Sequence, residues 1–492
     1  MSETRKAEIK QQSPALYYGI IIVCVALMLF GRFIPPFAPE ITPVGMGVLG
    51  VFIGVVVLWS TVGGSIWPSI LAIVALGCTG FTTVNGAVTS SLGSFMVFNM
   101  ICVTAMTSAL SATKADAKMA QWLISRKALE GKPYLFTFVF LFSFFLISMV
   151  TFAFAMIFIC WTILRKMAEE MGVSMRHPYF VAMTIFSVVA TSLGEFVIPL
   201  KSWQFALCNA FMGNAGGAQI NFTVYIVTTF ILGVAVLAIL VLLMKPVFRV
   251  DMTPVRDYRA SDSLRQDNRL STNQIIIVVV LLVSMLLSIA TNYLTGDNVF
   301  AKVVSTLSLP GIFGLAVVIL CVVKDKEGKP ILEFSKVMGG VVWGPILLVG
   351  VATCLSSALT DPSSGFMAFF ARTLLPIMEG KPVAFVYAFV IITACVLTNI
   401  GSNMGIGMMM IPISVPICVA AGCNMNVAAI VCIYSACYGF ILPGSAATSP
   451  LMYSNPDLTK GEIIKHTSLT VLLYVVIGCI VFPILDAILP HV

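Results

Sequence analysis

The stretch CVLTNIGSNMGIGMMMIPISVP, residues 395–416, combines features that do not belong together in an ordinary membrane helix. It lies within an apolar run over residues 382–421, yet it contains Asn399, Ser402 and Asn403, several glycines and two prolines. A helix that simply crosses a bilayer needs none of these, because lipid offers no partner for polar side chains or for an interrupted backbone. We therefore expect the helix to break here, with the break enclosed by protein.

The composition around this stretch is that of an all-α polytopic membrane protein. Of 492 residues, 59% are hydrophobic and only 10% are charged, and the mean hydropathy is +1.02. Soluble proteins carry about 25% charged residues, and a soluble fold could not bury this much apolar surface. The first apolar run has no cleavage site after it and is predicted to be an uncleaved span. A plasma-type membrane, most simply a bacterial inner membrane, is the expected location.

The residues that catalysis or a metal cluster would require are sparse. The 13 cysteines lie mostly in apolar runs and form no C-x-x-C pair, and His177, His466 and His491 are far apart in the sequence. No pair of carboxylates lies within the predicted spans, so a membrane-embedded enzyme is disfavoured and no catalytic residue or resident cofactor is predicted. The net charge of +7 is explained by loop topology, not by nucleic-acid binding. A channel is disfavoured too, because the repeats described below predict a closed site.

The distribution of positive charge predicts the topology. Lys and Arg are concentrated in the N-terminus and in segments 113–133, 165–176, 245–272 and 324–336. All five segments can be cytoplasmic, as the positive-inside rule requires, only if two overlong apolar runs are hairpins that enter and leave on one side. The sequence then predicts 11 transmembrane helices plus two re-entrant helical hairpins, a cytoplasmic N-terminus and an external C-terminus. The hairpins cover 134–164 and 382–421, and the spans cover 16–33, 45–62, 64–82, 92–112, 179–212, 222–244, 273–293, 303–323, 338–359, 427–453 and 466–489.

An internal repeat relates the two hairpins. SAL occurs at 108–110 and 357–359, and EGKP occurs at 130–133 and 379–382, both with an offset of 249 residues. An odd number of crossings separates the copies, so the second is inverted, as in secondary transporters that bind substrate near the midplane. Each repeat contains a span, an amphipathic helix, a hairpin, a broken span and a last span. The predicted units are scaffold spans 1–90, a first repeat 91–248, a cytoplasmic loop 249–272, scaffold spans 273–336 and a second repeat 337–492.

The tip of the second hairpin has the chemistry of an ion site. Gly401 permits the backbone to bend, while Ser402, Asn403 and freed carbonyls are hard oxygen ligands suited to Na⁺. The helix that resumes near Gly405 presents the positive end of its dipole to an anion. Alternatively, these small polar residues only pack helices together.

The second broken span, with GFILPGSAATSPLMYSN at 439–455, places hydroxyls of Ser445, Thr448 and Ser449 beside prolines that interrupt the helix. We expect these hydroxyls, together with freed carbonyls, to face the second hairpin tip.

The first broken span contains VATSLGEFVIPLKSWQF at 189–205, with the hydroxyls of Thr191 and Ser192. Glu195 and Lys201 are the only acid and base well inside a predicted span, and intramembrane ionisable groups indicate function by default. A structural Glu–Lys pair, or a Lys201 that reaches the membrane interface, is the alternative.

Two inverted copies of a hairpin followed by a broken span resemble the divalent anion/sodium symporter (DASS) family of the ion transporter superfamily, over about residues 90–490. That family carries S-N-T at each hairpin tip, and Ser402-Asn403-Met404 keeps two of the three positions. The first tip, within SMVTFAFAMIF at 148–158, keeps only Ser148 and Thr151 as nearby polar side chains. The family's T-P-P-N-like breaks survive in part as Thr448-Ser449-Pro450 and as Pro199.

This resemblance implies a homodimer, with a scaffold domain and a transport domain that carries a small di- or tricarboxylate-like anion by an elevator motion. Together, the residues and the resemblance predict substrate contacts at Ser402, Asn403, Ser445, Thr448, Ser449, Thr191, Ser192 and Lys201. They predict ion contacts at Asn399, Gly401, Ser402, Asn403, Ser445, Ala446, Ser148, Thr151, Gly194 and Glu195.

The first tip departs most from the family pattern, because it is poor in ligands. We hypothesise that Lys201 supplies fixed positive charge there, and that Glu195 neutralises it or carries a proton. Coupling to Na⁺, coupling to H⁺ and exchange therefore all remain open. A cation/proton antiporter of the same superfamily is the main rival, although Glu195 is the only acid well placed for that role.

Overall fold

The computed structural model describes residues 14–61, 66–124, 131–201, 203–216, 218–256, 270–290, 299–339, 343–366, 368–369, 372–373, 376, 380–400, 403–443, 445–446 and 448–490. Every named element in these ranges is a helix, which confirms the all-α prediction. The α-helices are α1 (Pro14–Phe30), α2 (Pro43–Thr61), α3 (Ile66–Leu76), α4 (Val84–Leu92), α5 (Phe95–Ala112), α6 (Ala115–Ile124), α7 (Pro133–Ser148), α8 (Ala153–Glu170), α9 (Pro178–Val197), α10 (Gln204–Asn214), α11 (Phe222–Leu243), α12 (Thr253–Arg256), α13 (Thr272–Ala290), α14 (Val299–Val322), α15 (Phe334–Met338), α16 (Trp343–Thr360), α17 (Val383–Ile400), α18 (Asn403–Ala420), α19 (Met425–Ser435), α20 (Ser449–Ser454) and α21 (Lys460–Ile488).

The outer surface of the bundle is apolar, as a lipid-facing surface must be. Ile22 on α1, Leu286 on α13 and Ile480 on α21 are each more than half exposed. By contrast, α9 is almost entirely buried within the protein. Within the described ranges, six unbroken helices are long and apolar enough to span a bilayer, and up to eight spans result if two bent pairs are included. The predicted number of eleven spans stays a prediction.

Two predicted spans differ from the observed helices. In place of a single span over 64–82, α3 has only 11 residues, or about 16 Å of rise, too short for a core of about 30 Å. The chain turns back after α3, and Val84 at the start of α4 packs against Gly77. This contact requires a glycine, because a Cβ on Gly77 would lie 2.5 Å from the Val84 side chain. The span predicted at 303–323 is bent by 96° within α14. The bend lies at Ser308, whose φ is 48°, two residues before Pro310.

The first predicted hairpin is a pair of packed helices, α7 and α8. The start of α7 lies beside the start of α9, where the Thr137 and Tyr179 hydroxyls are 3.1 Å apart. The following helix, α8, runs back along α9, and the Trp161 indole donates to the Thr184 carbonyl at 3.1 Å. Both outer ends of this hairpin therefore lie at the end of the bundle where α9 begins.

The first hairpin is also attached to the start of the last helix. Arg165, near the end of α8, forms an ion pair with Asp457 at 3.1 Å. Arg176, in the loop after α8, forms an ion pair at 3.4 Å with Glu462, in the first turn of α21. Exposed ion pairs of this kind contribute about 0–1 kcal/mol each. They align these two parts of the chain more than they stabilise it.

The second predicted hairpin, α17 and α18, is attached to the opposite end of α21. The Asp486 carboxylate accepts hydrogen bonds from the Tyr387 hydroxyl, near the start of α17, and from the Asn424 amide, just after α18, the latter at 2.7 Å. Since α21 has 29 residues, its two ends are about 43 Å apart. The bases of the two hairpins therefore lie at opposite ends of the bundle. Which end faces the cytoplasm stays a prediction.

Candidate functional site

The second broken span is interrupted between α19 and α20. After Ser435 the chain leaves the helix, and the carbonyls of Ala436, Cys437 and Tyr438 lose the helical donors that they would otherwise have. The close approach of the second hairpin requires a glycine in this break, because a Cβ on Gly439 would lie 1.8 Å from the Asn403 side-chain oxygen. We call residues 436–448 the second break.

The second hairpin holds the second break through two carboxamides. Asn399 donates to the Tyr438 carbonyl at 2.8 Å and accepts from the amides of Phe440 and Ile441 at 2.9 and 2.8 Å. Asn403 donates to the Cys437 carbonyl at 3.2 Å. The tip and the break are therefore one hydrogen-bonded unit.

Asn403 makes two further contacts at the start of α18. Its backbone amide donates to the Ser445 carbonyl at 2.8 Å. The Thr398 hydroxyl lies 2.7 Å from the Asn403 Oδ1 and 2.8 Å from the Ala436 carbonyl, and it donates its single hydrogen to one of them. Gly401 and Ser402, the other two tip residues predicted to bind, lie outside the described residues.

A row of hydroxyls lies at the end of the second break. The Ser445 hydroxyl donates to the Leu442 carbonyl at 2.6 Å and lies 3.2 Å from the Ser449 hydroxyl, which in turn lies 3.4 Å from the Gly439 carbonyl. The Ala446 carbonyl accepts from the Ser449 amide at 3.2 Å. Ser445 and Ser449 are fully buried, so these hydroxyls form an internal polar surface.

The first hairpin tip carries the one carboxylate that was predicted at the site. Glu195 is half-buried near the end of α9. Its carboxylate accepts a hydrogen bond, at 3.2 Å, from the backbone amide of Ala153, which is the first residue of α8. Among the described residues the buried Ser148 hydroxyl has no hydrogen-bond partner, while Thr151 donates back to the Ile147 carbonyl at 3.0 Å. The first tip thus presents a carboxylate and an unpaired hydroxyl.

Gly194 allows α9 to pack closely on the first hairpin. A Cβ at Gly194 would lie 2.1 Å from the Phe145 carbonyl oxygen. This close packing brings the neighbouring Glu195 to the start of α8, and a larger residue at position 194 would separate the two helices. The backbone of Lys201 lies in a short 3₁₀ turn, Pro199–Lys201, but its side chain is outside the described residues, so its proposed charge role stays a prediction.

The broken spans of the two halves meet directly. The Ser192 hydroxyl, near the end of α9, lies 3.3 Å from the Thr448 hydroxyl, and both are buried. The Gln204 carboxamide on α10 donates to the Cys437 Sγ in the second break at 3.2 Å. Ser192 and Thr448, which the sequence predicts as substrate contacts, therefore lie side by side, and their role in binding stays a prediction. Thr191 instead donates back to the Ser187 carbonyl of its own helix at 2.8 Å.

Three polar residues at this junction were missed by the sequence analysis. The chain is also interrupted between α9 and α10, and we call this interruption the first break. Asn99 on α5 donates to the Leu200 carbonyl in the first break at 3.1 Å, and Thr398 and Gln204 contact the second break. All three are fully buried. Asn99 is an isolated polar residue in an apolar run, a signal that could have identified it, whereas Thr398 adjoins Asn399 and Gln204 lies three residues after Lys201.

The described part of the site is built from hydroxyls, carboxamides, backbone groups, the Cys437 thiol and the Glu195 carboxylate. No group of three or more His, Cys, Asp or Glu side chains that could hold a metal ion occurs in the described ranges. Hydroxyls and amide N–H groups can bind an anion, whereas hydroxyl, carbonyl and carboxylate oxygens are hard ligands for a cation such as Na⁺. Groups that can bind a small anion and groups that can bind an alkali cation therefore both occur at the site.

Comparison with known proteins gives a family over nearly the whole chain. Residues 15–489 match the family described as the sodium:sulfate symporter transmembrane region. A search of the curated proteins found no match.

Solved structures share the fold at low sequence identity. The Alcanivorax borkumensis YdaH transporter superposes with a TM-score of 0.55 at 11% identity, covering 95% of this chain and 97% of that one. Neisseria gonorrhoeae MtrF, described with a class of antimetabolite efflux pumps, gives a TM-score of 0.55 at 13% identity, covering 97% and 95%. At such identities the similarity concerns the fold alone.

Proposed function

Since this chain belongs to the sodium:sulfate symporter transmembrane region family, we propose that it carries a small anion across the membrane by alternating access, at the junction of its two broken spans. The family assignment confirms the resemblance to the DASS family. It also confirms that the protein is an integral membrane transporter, not an enzyme. The substrate, the coupling ion and the movement are parts of this proposal.

One observation supports the site more than any other: the 3.3 Å contact between the Ser192 and Thr448 hydroxyls. The two residues come from different halves of the chain: Ser192 lies near the end of α9 and Thr448 immediately precedes α20. In lipid, a buried hydroxyl without a strong partner is costly. An anion that accepts from both hydroxyls would connect the halves, as transport sites at repeat interfaces do.

A small carboxylate is the substrate that this chemistry favours, with sulfate as the second candidate. The contacts described at the junction are neutral donors, and Glu195 is negatively charged when ionised. Neutral hydroxyls and N–H groups suit a small anion better than a highly charged one. Lys201, at the first break, would add one positive charge.

The first hairpin tip is the better candidate site for the coupling cation, compared with the second tip. At the second tip, the described side chains of Asn399 and Asn403 already have hydrogen-bond partners. At the first tip, the Ser148 hydroxyl has none within the described ranges, and the Glu195 carboxylate is near. A bound Na⁺ would be held by oxygen atoms of this tip, whereas coupling to H⁺ would protonate the Glu195 carboxylate. Uptake under a Na⁺ gradient and under an H⁺ gradient distinguishes the two.

An elevator motion, in a homodimer, would carry the hairpins past the N-terminal spans. The contact that would slide lies between α18 and α2, where a Cβ on Gly405 would lie 2.9 Å from the Val56 side chain. Small residues permit such close contacts between membrane helices. We expect that substitution of Gly405 by a bulky residue slows transport more than it weakens substrate binding.

Uptake by purified protein in liposomes tests the proposal. Labelled succinate, citrate and sulfate are each offered under an inward Na⁺ gradient, an inward H⁺ gradient or no gradient. We expect accumulation of at least one anion under one of the two gradients. Ser192→Ala and Thr448→Val should raise the half-saturating anion concentration by about tenfold, the effect of one lost hydrogen bond to a charged group.

Matched controls use hydroxyls that are distant from the junction. Ser284, on α13, donates within its own helix to the Val280 carbonyl at 2.7 Å. Thr162, on α8, donates in the same way to the Phe158 carbonyl at 2.8 Å. Ser284→Ala and Thr162→Val should leave half-saturation unchanged. If the site variants behave like these controls, the junction does not bind the anion.

A further inference from the structure

We propose that Asn399 is a positioning residue that sets the shape of the second break and does not bind the coupling ion. The inference rests on the proposed function, because it assigns a role within the same transport site. It also replaces the role that the sequence suggested for this residue.

The carboxamide of Asn399 has no capacity left for an ion. Its two N–H groups donate to the carbonyls of Cys395 at 2.7 Å and Tyr438 at 2.8 Å. Its oxygen accepts from the amides of Phe440 and Ile441. A carboxamide offers two donors and two lone pairs, and all four are used by backbone groups. The side chain is only 6% exposed.

The orientation of this carboxamide follows from its partners. Two of the partners are carbonyl oxygens, which can only accept, and two are backbone amides, which can only donate. Rotating the carboxamide by 180° would set oxygen against oxygen and N–H against N–H. Asn399 therefore has one favourable orientation.

The bonds of Asn399 replace those that the helix loses at Gly439. Tyr438 precedes this glycine and Phe440 follows it, so Asn399 binds the chain on both sides of the break. In a continuous helix these groups would pair along the chain, and at bilayer depth no water replaces the lost partners. Because the Phe440 and Ile441 amides are already used, they are not available to a substrate anion. Among the described hydroxyls of this part of the chain, that of Thr448 contacts Ser192 across the junction.

The variant Asn399→Asp separates a positioning role from an ion-binding role. Aspartate has the same shape and is a good ligand for Na⁺, so an ion ligand would tolerate it. A positioning residue would not, because an ionised carboxylate cannot donate to Cys395 and Tyr438 and instead faces two carbonyl oxygens. We expect the maximal transport rate to fall at least about tenfold at neutral pH, as expected when buried acceptors lose their donors.

The two roles predict opposite changes in the transport rate of this variant, relative to wild type, as the pH falls. Protonation of the introduced carboxylate restores one O–H donor, so a positioning role predicts that transport relative to wild type rises as pH falls. An ion-binding role predicts that it falls, because protonation removes the ligand. The wild-type protein measured in parallel accounts for other titrating groups. Asn214→Asp is the control: Asn214 is a buried carboxamide at the end of α10 that donates to the Ala210 carbonyl at 2.7 Å. It should show no such recovery of transport.

Two further measurements keep the inference testable if Asn399→Asp is too unstable for transport. The melting temperature of the detergent-solubilised variant, relative to wild type, should rise on acidification, and a fall would overturn the proposal. Asn399→Ala should lower the maximal rate while leaving the half-saturating concentration of the coupling ion within about twofold. A tenfold rise of that concentration with an unchanged maximal rate would overturn it. If the wild-type protein carries no anion under any gradient, the proposed function itself fails, and the melting measurement still tests Asn399.

Discussion

Replacing Gly439 by alanine tests the contact between the second hairpin and the second break. A Cβ at this position would lie 1.8 Å from the Asn403 Oδ1 and 2.8 Å from the Ser445 carbonyl oxygen. The first distance is roughly 1.5 Å or more short of ordinary contact, so the Asn403 carboxamide must retreat. Its bond to the Cys437 carbonyl at 3.2 Å and its contact with the Thr398 hydroxyl at 2.7 Å are then lost.

The expected cost follows from those two interactions. Leaving a buried polar group unsatisfied costs about 1–3 kcal/mol, so two such losses destabilise the protein by about 2–6 kcal/mol. We expect Gly439→Ala to lower the thermal unfolding temperature in detergent and to abolish gradient-driven uptake in liposomes. The control is Gly461→Ala in the first turn of α21, where nothing lies within 4 Å of the new Cβ. If both variants unfold and transport like wild type, the packing of hairpin against break described above is wrong.

Three further substitutions address other parts of the fold. Gly365→Ala should destabilise the protein strongly, measured by thermal unfolding, because Gly365 has φ +78° and a Cβ there would meet the Glu40 carbonyl oxygen at 1.8 Å. Ser308→Gly should raise stability by about 1 kcal/mol, since Ser308 holds φ 48° and ψ −169°, a region that only glycine adopts readily; an unchanged unfolding temperature would argue against strain at the bend. Burial raises the pKa of Asp116, outweighing the hydrogen bond from the Ala117 amide that lowers it. Because the folded state then holds the proton more tightly than the unfolded state, stability should decline as pH rises from the unfolded-state pKa through the raised one. Asp116→Asn should flatten that part of the stability–pH curve, and an unaltered curve would refute the assignment.

The helical fold was largely predictable from hydropathy, but turns within apolar segments were not. Runs 134–164 and 382–421 were recognised as too long for one helix, and each contains two helices in the structure. Hydropathy alone predicts one span over 64–82, because the turn at Gly77 has no charged residue to mark it. The bend at Ser308 likewise depends on local backbone conformation, which an average over an apolar run cannot reveal.

The site was predictable as a set of polar residues but not as a set of contacts. Ser192 and Thr191 are adjacent in the sequence, yet one residue along a helix rotates the side chain by about 100°. Only Ser192 therefore meets Thr448, while Thr191 turns back to its own helix. The sequence predicts an ion contact at Asn399, and that role stays a prediction. In the structure, backbone amides 41 and 42 residues away donate to the Asn399 oxygen, a tertiary contact without a local sequence signal.

An experimental structure of the wild-type protein in lipid nanodiscs, determined with and without the anion that it transports, tests the account most directly. If the junction binds the anion, its density will lie within about 3.5 Å of the Ser192 and Thr448 hydroxyls, between the broken spans of the two halves. Density for the anion at any other place, with that hydroxyl pair unchanged and uncontacted, would contradict it.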